Sequence, residues 1–166
     1  MEYTAELAAD IQKVWELIKD IKIAMLVTDE NGTLRSRPMA TQTHEFDGKL
    51  WFFTKEPSPK TDELEKKETV NVAFADPDHQ RYISISGKAH TVRDHKKMAE
   101  LWHPSYKAWF SEGLSDPEIA LIRVDVESVE YWTAPSSKVI QLFAVAKATL
   151  TGKEYDAGTH DKISLH

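Results

Sequence analysis

The 166-residue sequence predicts a mainly-β domain of the α+β class: an antiparallel sheet curled into a small barrel, with helices on its flanks. Three observations carry that prediction. About eight short apolar or alternating runs are separated by turns built on Gly, Pro, Asn and Asp. Helical periodicity is confined to a few stretches between and beyond those runs. The length suits one hydrophobic core, and closing a sheet of this size removes its exposed edges.

The elements follow in order. From Thr4 to Asp20, Leu7, Ile11, Val14, Trp15 and Ile18 recur at helical spacing with charges between them, which makes an amphipathic helix. Ile23-Ala24-Met25-Leu26-Val27 is a continuous apolar strand. Asn31-Gly32 after it favours a tight hairpin, because both residues tolerate positive φ. Thr33 to Thr43 is the return strand. Phe46-Asp47-Gly48 turns the chain again into the aromatic strand Leu50 to Thr54, so three consecutive strands form a meander. Ser58 then caps a short polar helix from Lys60 to Lys67, with Pro59 at its first position.

Val70 to Phe74 and Tyr82 to Ser86 alternate as strands around an Asp-Pro turn. Gly87 suits a bulge before Ala89 to Arg93. Asp94 caps a helix to Leu101, and His103 to Phe110 forms another that Gly113 closes. Ala120 to Val126 and Val129 to Thr133 complete the strands. A last helix, Lys138 to Leu150, ends at Gly152. Residues 1–152 therefore form one domain, and 153–166 a polar, frayed tail.

Composition narrows the function. An apolar fraction of 41% with 29% charged residues is that of a folded globular chain. With no cysteine there is no disulfide framework, thiolate zinc site or cysteine nucleophile. A net charge of −6 argues against nucleic-acid binding, which draws its affinity from basic surface. No apolar run approaches the roughly 20 residues that span a bilayer, so no membrane partner is expected. The acidic start, MEYTAELAAD, lacks the pattern of a secretory signal, and a cytoplasmic location is expected. Seven histidines show no His-x-His or His-x₃-His pair, and no metal site is expected. There is no Gly-x-Ser-x-Gly elbow, phosphate loop or dinucleotide fingerprint.

Two segments suit an anion. At Ser58-Pro59-Lys60 the unpaired N–H groups of a helix start, the Ser58 hydroxyl and the Lys60 charge would converge; the same residues also describe an ordinary capped helix. On the second strand, Arg35, Arg37, Met39 and Thr41 share a face. Two arginines there suit a phosphate, and equally a charged edge strand that blocks aggregation. Among five tryptophans, Trp102 and Trp109 are seven apart, one helix face if the helix runs through Pro104. An indole such as Trp109 either stacks on a flat ligand or fills core.

In order and spacing the segments resemble the general stress protein branch of the pyridoxamine 5′-phosphate oxidase-like flavoproteins. The resemblance covers about residues 5–150 and rests on Ser36-Arg37-Pro38-Met39, Leu50-Trp51-Phe52-Phe53-Thr54, Ser58-Pro59-Lys60, Lys107-Ala108-Trp109-Phe110, Asp116-Pro117, Leu121-Ile122-Arg123-Val124 and Val129-Glu130-Tyr131-Trp132. It implies a split β-barrel that dimerises and binds flavin mononucleotide (FMN) between its subunits. The strand with Arg37, Pro38, Met39, Ala40, Thr41 and Gln42 would lie along the flavin, Phe53 and Thr54 against its rings, and Ser58 and Lys60 on its phosphate. Trp109 is a further candidate contact.

Departures from the family pattern bear on activity. Pro59 replaces the arginine of the oxidases' Ser-Arg-Lys step, Tyr82 stands where they carry a flavin-contacting glutamine, and no carboxy-terminal tryptophan-arginine segment is found. Vitamin-B6 oxidase activity therefore does not follow. What the resemblance implies is an FMN-dependent oxidoreductase acting between small-molecule electron donors and acceptors of unknown identity. The alternatives are a non-catalytic flavin carrier or sensor, and a barrel holding a deazaflavin or haem. No catalytic acid, base or nucleophile is nominated.

Overall fold

The computed structural model describes residues 4–41, 45–57, 68–135, 137–154 and 158–165, with the backbone alone at 139. Helix α1 (Ala5–Ile18) starts where the Thr4 hydroxyl accepts the N–H of Leu7. Its Val14 and Ile18 are buried against the sheet. Strands β1 (Ile23–Glu30) and β2 (Thr33–Ala40) form the expected hairpin, with Asn31 and Gly32 at φ 53° and 89°. Next come β3 (Lys49–Lys55), β4 (Thr69–Asp76) and β5 (Arg81–Val92). Helix α2 (His95–Leu101) is capped by Asp94, which accepts the N–H of Lys97. After 3₁₀ turns at Pro104–Ala108 and Gly113–Ser115 the chain makes β6 (Ile119–Thr133), α3 (Lys138–Thr151) and β7 (Thr159–Ser164).

All seven strands belong to one antiparallel sheet in the order β2-β1-β4-β5-β6-β3, with β7 also on β6. The meander ends after two strands. β3 does not pair with β2 but crosses to β6, Lys49 opposite Asp125 through Lys55 opposite Ile119. The sheet therefore curls without a ladder between its ends, β2 and β3, among the described residues, leaving a half-barrel split along that seam. Two pairs of expected strands are each continuous. β5 runs through Gly87 with a register shift at Ser86/Gly87, and β6 runs through Glu127 and Ser128. The frayed tail is also corrected, since Thr159–Ser164 pairs with Ser128–Thr133. Its polar residues sit on an edge, and only Ile163 turns into the core.

Alternation sorts the side chains into two clusters. Inside the curl lie Leu26, Phe52, Val72, Ile85, Val124 and Val129, closed by α1. Outside it, Leu121 and Ile119 of β6 meet Met98 and Leu101 of α2 and Phe110. The β3–β6 wall is thus buried on both faces, which accounts for the unbroken apolar run from Leu50 to Phe53. The predicted helix from Lys60 to Lys67 lies outside the described residues.

Candidate functional site

The seam between β2 and β3 opens into a cleft of about 500 Å3. One wall is the end of the β1–β2 hairpin, with Ile23, Pro38, Met39 and Ala40. The opposite wall is β3, with Trp51, Phe53 and Lys55 on its outward face and Thr54 on the buried parity between the last two, and the rim is Leu101, Tyr106, Trp109 and Phe110.

Packing holds the aromatic wall in place. The Phe53 ring lies 5.7 Å from Trp102, 5.2 Å from Tyr106 and 6.1 Å from Phe110, in edge-on or tilted arrangements. Such pairs add about 0.5–1.5 kcal/mol each beyond the area they bury. Trp109 is 65% exposed, free of that cluster and open to a ligand. The break at Pro104 separates the two indoles: α2 stops at Leu101, and the helix expected from His103 to Phe110 is only a 3₁₀ turn over Pro104–Ala108, so Trp102 and Trp109 share no helix face. Trp102 enters the cluster and Trp109 the rim.

The polar groups of the cleft are few. Thr54 is buried, 3% exposed. Lys55 reaches Asp116 at 3.7 Å and lies 5.9 Å over the Phe110 ring. Burial pushes the Tyr106 phenol above its ordinary value. The exit of β3 is fixed by Arg93, which donates to the Glu56 carboxylate at 2.8 Å and to the Pro117 carbonyl at 2.9 Å. Among the described residues no group of His, Cys, Asp and Glu could hold a metal ion.

Of the residues singled out in the sequence, Pro38, Met39, Ala40, Phe53, Thr54 and Trp109 converge on the cleft. Arg37 and Thr41 flank it. Arg37 is half-buried opposite Leu26 on the inner face of the curl, and the Thr41 hydroxyl donates to the Ile21 carbonyl at 2.7 Å. Ser58 and Lys60 lie outside the described residues. Sequence reasoning missed Ile23, Trp51, Lys55, Leu101, Tyr106 and Phe110 as site residues. Trp51 was within reach, because it alternates with Phe53 on one face of β3; Tyr106, in a 3₁₀ turn, has no periodic signal.

The geometry suits a flat, mostly apolar ligand. The volume is that of a small-molecule site, the walls are aromatic and aliphatic, and the small residues Pro38 and Ala40 leave room for a planar ring. On the outer face of the sheet a shallow hollow continues from the cleft through Ile23, which lines both, to Met25, Tyr82 and Trp132.

Known proteins show the same architecture. The general stress protein 26 candidate of Jannaschia sp. CCS1 superposes with a TM-score of 0.73 at 25% identity, over 97% of this chain and 99% of that one. The general stress FMN/FAD binding protein of Xanthomonas citri has a TM-score of 0.67 at 32% identity, covering 81% of this chain and 93% of its own. Protein bli-3 of Neurospora crassa is 32% identical over 143 residues, which is 80% of this chain and 68% of that protein. The sequence profile described as "Pyridoxamine 5'-phosphate oxidase like" matches residues 9–156. With that match across most of its length, the chain belongs to the pyridoxamine 5′-phosphate oxidase-like family, among relatives described as general stress proteins.

Proposed function

We propose that the seam cleft binds a flavin, as FMN, and that the protein is a flavin-dependent oxidoreductase acting between small-molecule donors and acceptors. One observation carries this reading: an aromatic-walled, apolar cleft of about 500 Å3 opens where the barrel is split. Description of the Xanthomonas citri relative as FMN/FAD binding supports it. Pro38, Met39 and Ala40 would lie along one side of the ring system, Phe53 and Thr54 along the other, and Trp109 at the rim. A single phosphate suits Ser58 and Lys60, which follow in sequence the Glu56 that Arg93 binds, with Arg37 as a second candidate.

A bound flavin supplies hydride or single-electron chemistry, and the protein's part is to position it and exclude water. Lys55 and Tyr106 are the lining side chains that carry a titratable group. The same sparseness favours the second reading, a flavin carrier or sensor without turnover.

The reading includes a second copy of the chain. The outward residues run in rows: Met25 stands opposite Pro38 and Ala73, and Tyr82 opposite Ala75 and Trp132. Small residues make the floor, while Ile23, Met25, Tyr82 and Trp132 are 37–53% exposed. An apolar floor continuous with an open cleft suits a two-fold partner that completes both sites.

Ligand released by heat from the purified protein should run as FMN on chromatography. Release of haem or a deazaflavin alone, or no quenching of added FMN fluorescence by the colourless protein, overturns the flavin reading. Turnover of a reduced nicotinamide with an acceptor separates the oxidoreductase from the carrier.

A further inference from the structure

Helix α3 is apolar and uncovered. Ile140, Leu142, Phe143, Val145 and Leu150 are 53, 69, 76, 48 and 87% exposed. Its side-chain hydrogen bonds stay local: Gln141 donates to the Pro135 carbonyl, and Thr149 and Thr151 donate back to Val145 and Lys147. The chain leaves β6 at Thr133 and rejoins the sheet at Thr159, and these two residues are register partners. The helix is therefore an arm tied to the sheet at both ends, about 21 Å long at 1.5 Å per residue.

We propose that α3 is an intersubunit arm, buried against a second copy of this chain; this rests on the dimer included in the function proposed above. The area supports it. These side chains present on the order of 500 Å2, the size at which a patch on a monomer marks an interaction surface, and a two-fold axis doubles it. Two such arms together with the sheet floor reach a standard interface of about 1,600 Å2. The distribution also matters. At 100° per residue, the five large side chains cover an arc of about 220°, wider than the stripe of about 100° with which a helix packs on a single surface. A helix lying on a membrane surface has a distinct polar face, and fourteen residues are too few to cross a bilayer. Charge agrees: Lys138 and Lys147 are the charged residues of α3, in a chain of net charge −6. The arm is thus complementary to the body of another copy.

Sedimentation and thiol labelling of the full chain test this, helped by the absence of native cysteine. The Leu142→Asp/Phe143→Asp variant should sediment as a monomer where the unsubstituted protein is a dimer, with unchanged circular dichroism of the sheet. Should two charges unfold the chain, Phe143→Cys gives the second readout. Its thiol should react with a maleimide many-fold more slowly in the dimer than after dilution to monomer. A double variant that stays dimeric, with the thiol at position 143 as reactive as in urea, overturns the arm and leaves the dimer standing. A thiol still protected in the dilute monomer means α3 packs on its own chain, which also overturns it. Capture of the unsubstituted protein, but not the double variant, by phosphatidylserine-containing vesicles makes lipid the occupant. An unsubstituted protein that is monomeric removes the dimer itself. FMN titration of the same samples reports on the cleft separately.

Discussion

Substituting Gly87 by alanine tests whether the β5–β6 crossing shapes the barrel as the structure implies. A Cβ at Gly87 would fall on the Asp125 carbonyl oxygen, 3.1 Å from its carbon and 3.2 Å from the Val126 Cα. These are backbone atoms, so no side-chain rotation relieves the overlap. Carbon atoms pack at about 3.5–4.0 Å, so the two strands must part locally at the register shift. Overpacking of this kind costs about 1–3 kcal/mol, and a lost ladder hydrogen bond about 0.5–1.5 kcal/mol more. A loss of about 2–4 kcal/mol is a large part of a typical domain stability of about 5–15 kcal/mol. With a urea slope of about 1–3 kcal/mol/M, the midpoint should fall by about 1 M or more. Gly32→Ala is the control. It sits at φ 89° with no heavy atom within 4 Å of its would-be Cβ, so only conformational strain of about 1–2 kcal/mol applies. Urea unfolding followed by tryptophan fluorescence reads both. If Gly87→Ala keeps the parent midpoint, or loses less than Gly32→Ala, the close approach does not exist and the sheet is built differently.

Trp109→Ala should leave the urea midpoint within error, because the indole is mostly exposed, yet weaken FMN binding by about two- to tenfold, as loss of a stacking worth about 0.5–1.5 kcal/mol requires; equal affinity removes Trp109 from the site. Lys60→Ala should weaken FMN binding about tenfold or more, a charge-assisted bond of about 1.5–3 kcal/mol, and leave riboflavin binding unchanged, while Lys66→Ala does nothing. If the two lysine variants act alike, Ser58-Pro59-Lys60 is a helix cap only. For pH, the Tyr106 phenol is raised by burial, so its contribution is fully present below the ordinary phenol value of about 10 and is lost as pH climbs through its folded value. Urea midpoints on either side of pH 10 should therefore fall less in Tyr106→Phe than in the parent, and parallel profiles would show that Tyr106 is solvated.

Much of the fold was legible because its signals are local. Asp94 caps its helix through its own side chain, and Asn31-Gly32 closes a hairpin that needs positive φ. The partner of β3 was not legible. Leu50 to Thr54 carries apolar residues at both parities, which says that both faces are buried but not which strand lies alongside. The choice of β6, some 70 residues further on, belongs to the closure of the whole sheet. Gly87 was legible as a bulge, and the register shift falls there; the break expected between Val126 and Val129 is absent, because β6 runs on with Glu127 as the residue left over by that shift. Strand β7 escaped because an edge strand that exposes all but one side chain has no hydrophobic alternation to show.

The site divides along the same line. Pro38, Met39 and Ala40 were readable as a strand segment, and Phe53 with Thr54 as the end of another; their convergence depends on the seam that the crossing of β3 creates. Had β3 paired with β2, as a meander would require, Ala40 and Phe53 would belong to one continuous sheet and no cleft would separate them. The split between β2 and β3, which form no ladder among the described residues, is therefore the feature that opens the cleft. The burial of β3 beneath Trp102, Tyr106 and Phe110 gives that opening its aromatic wall. The cleft in this chain depends on a long-range pairing choice, which is why residues on its two strands could be named from sequence while Tyr106, carried on a connection between elements, could not.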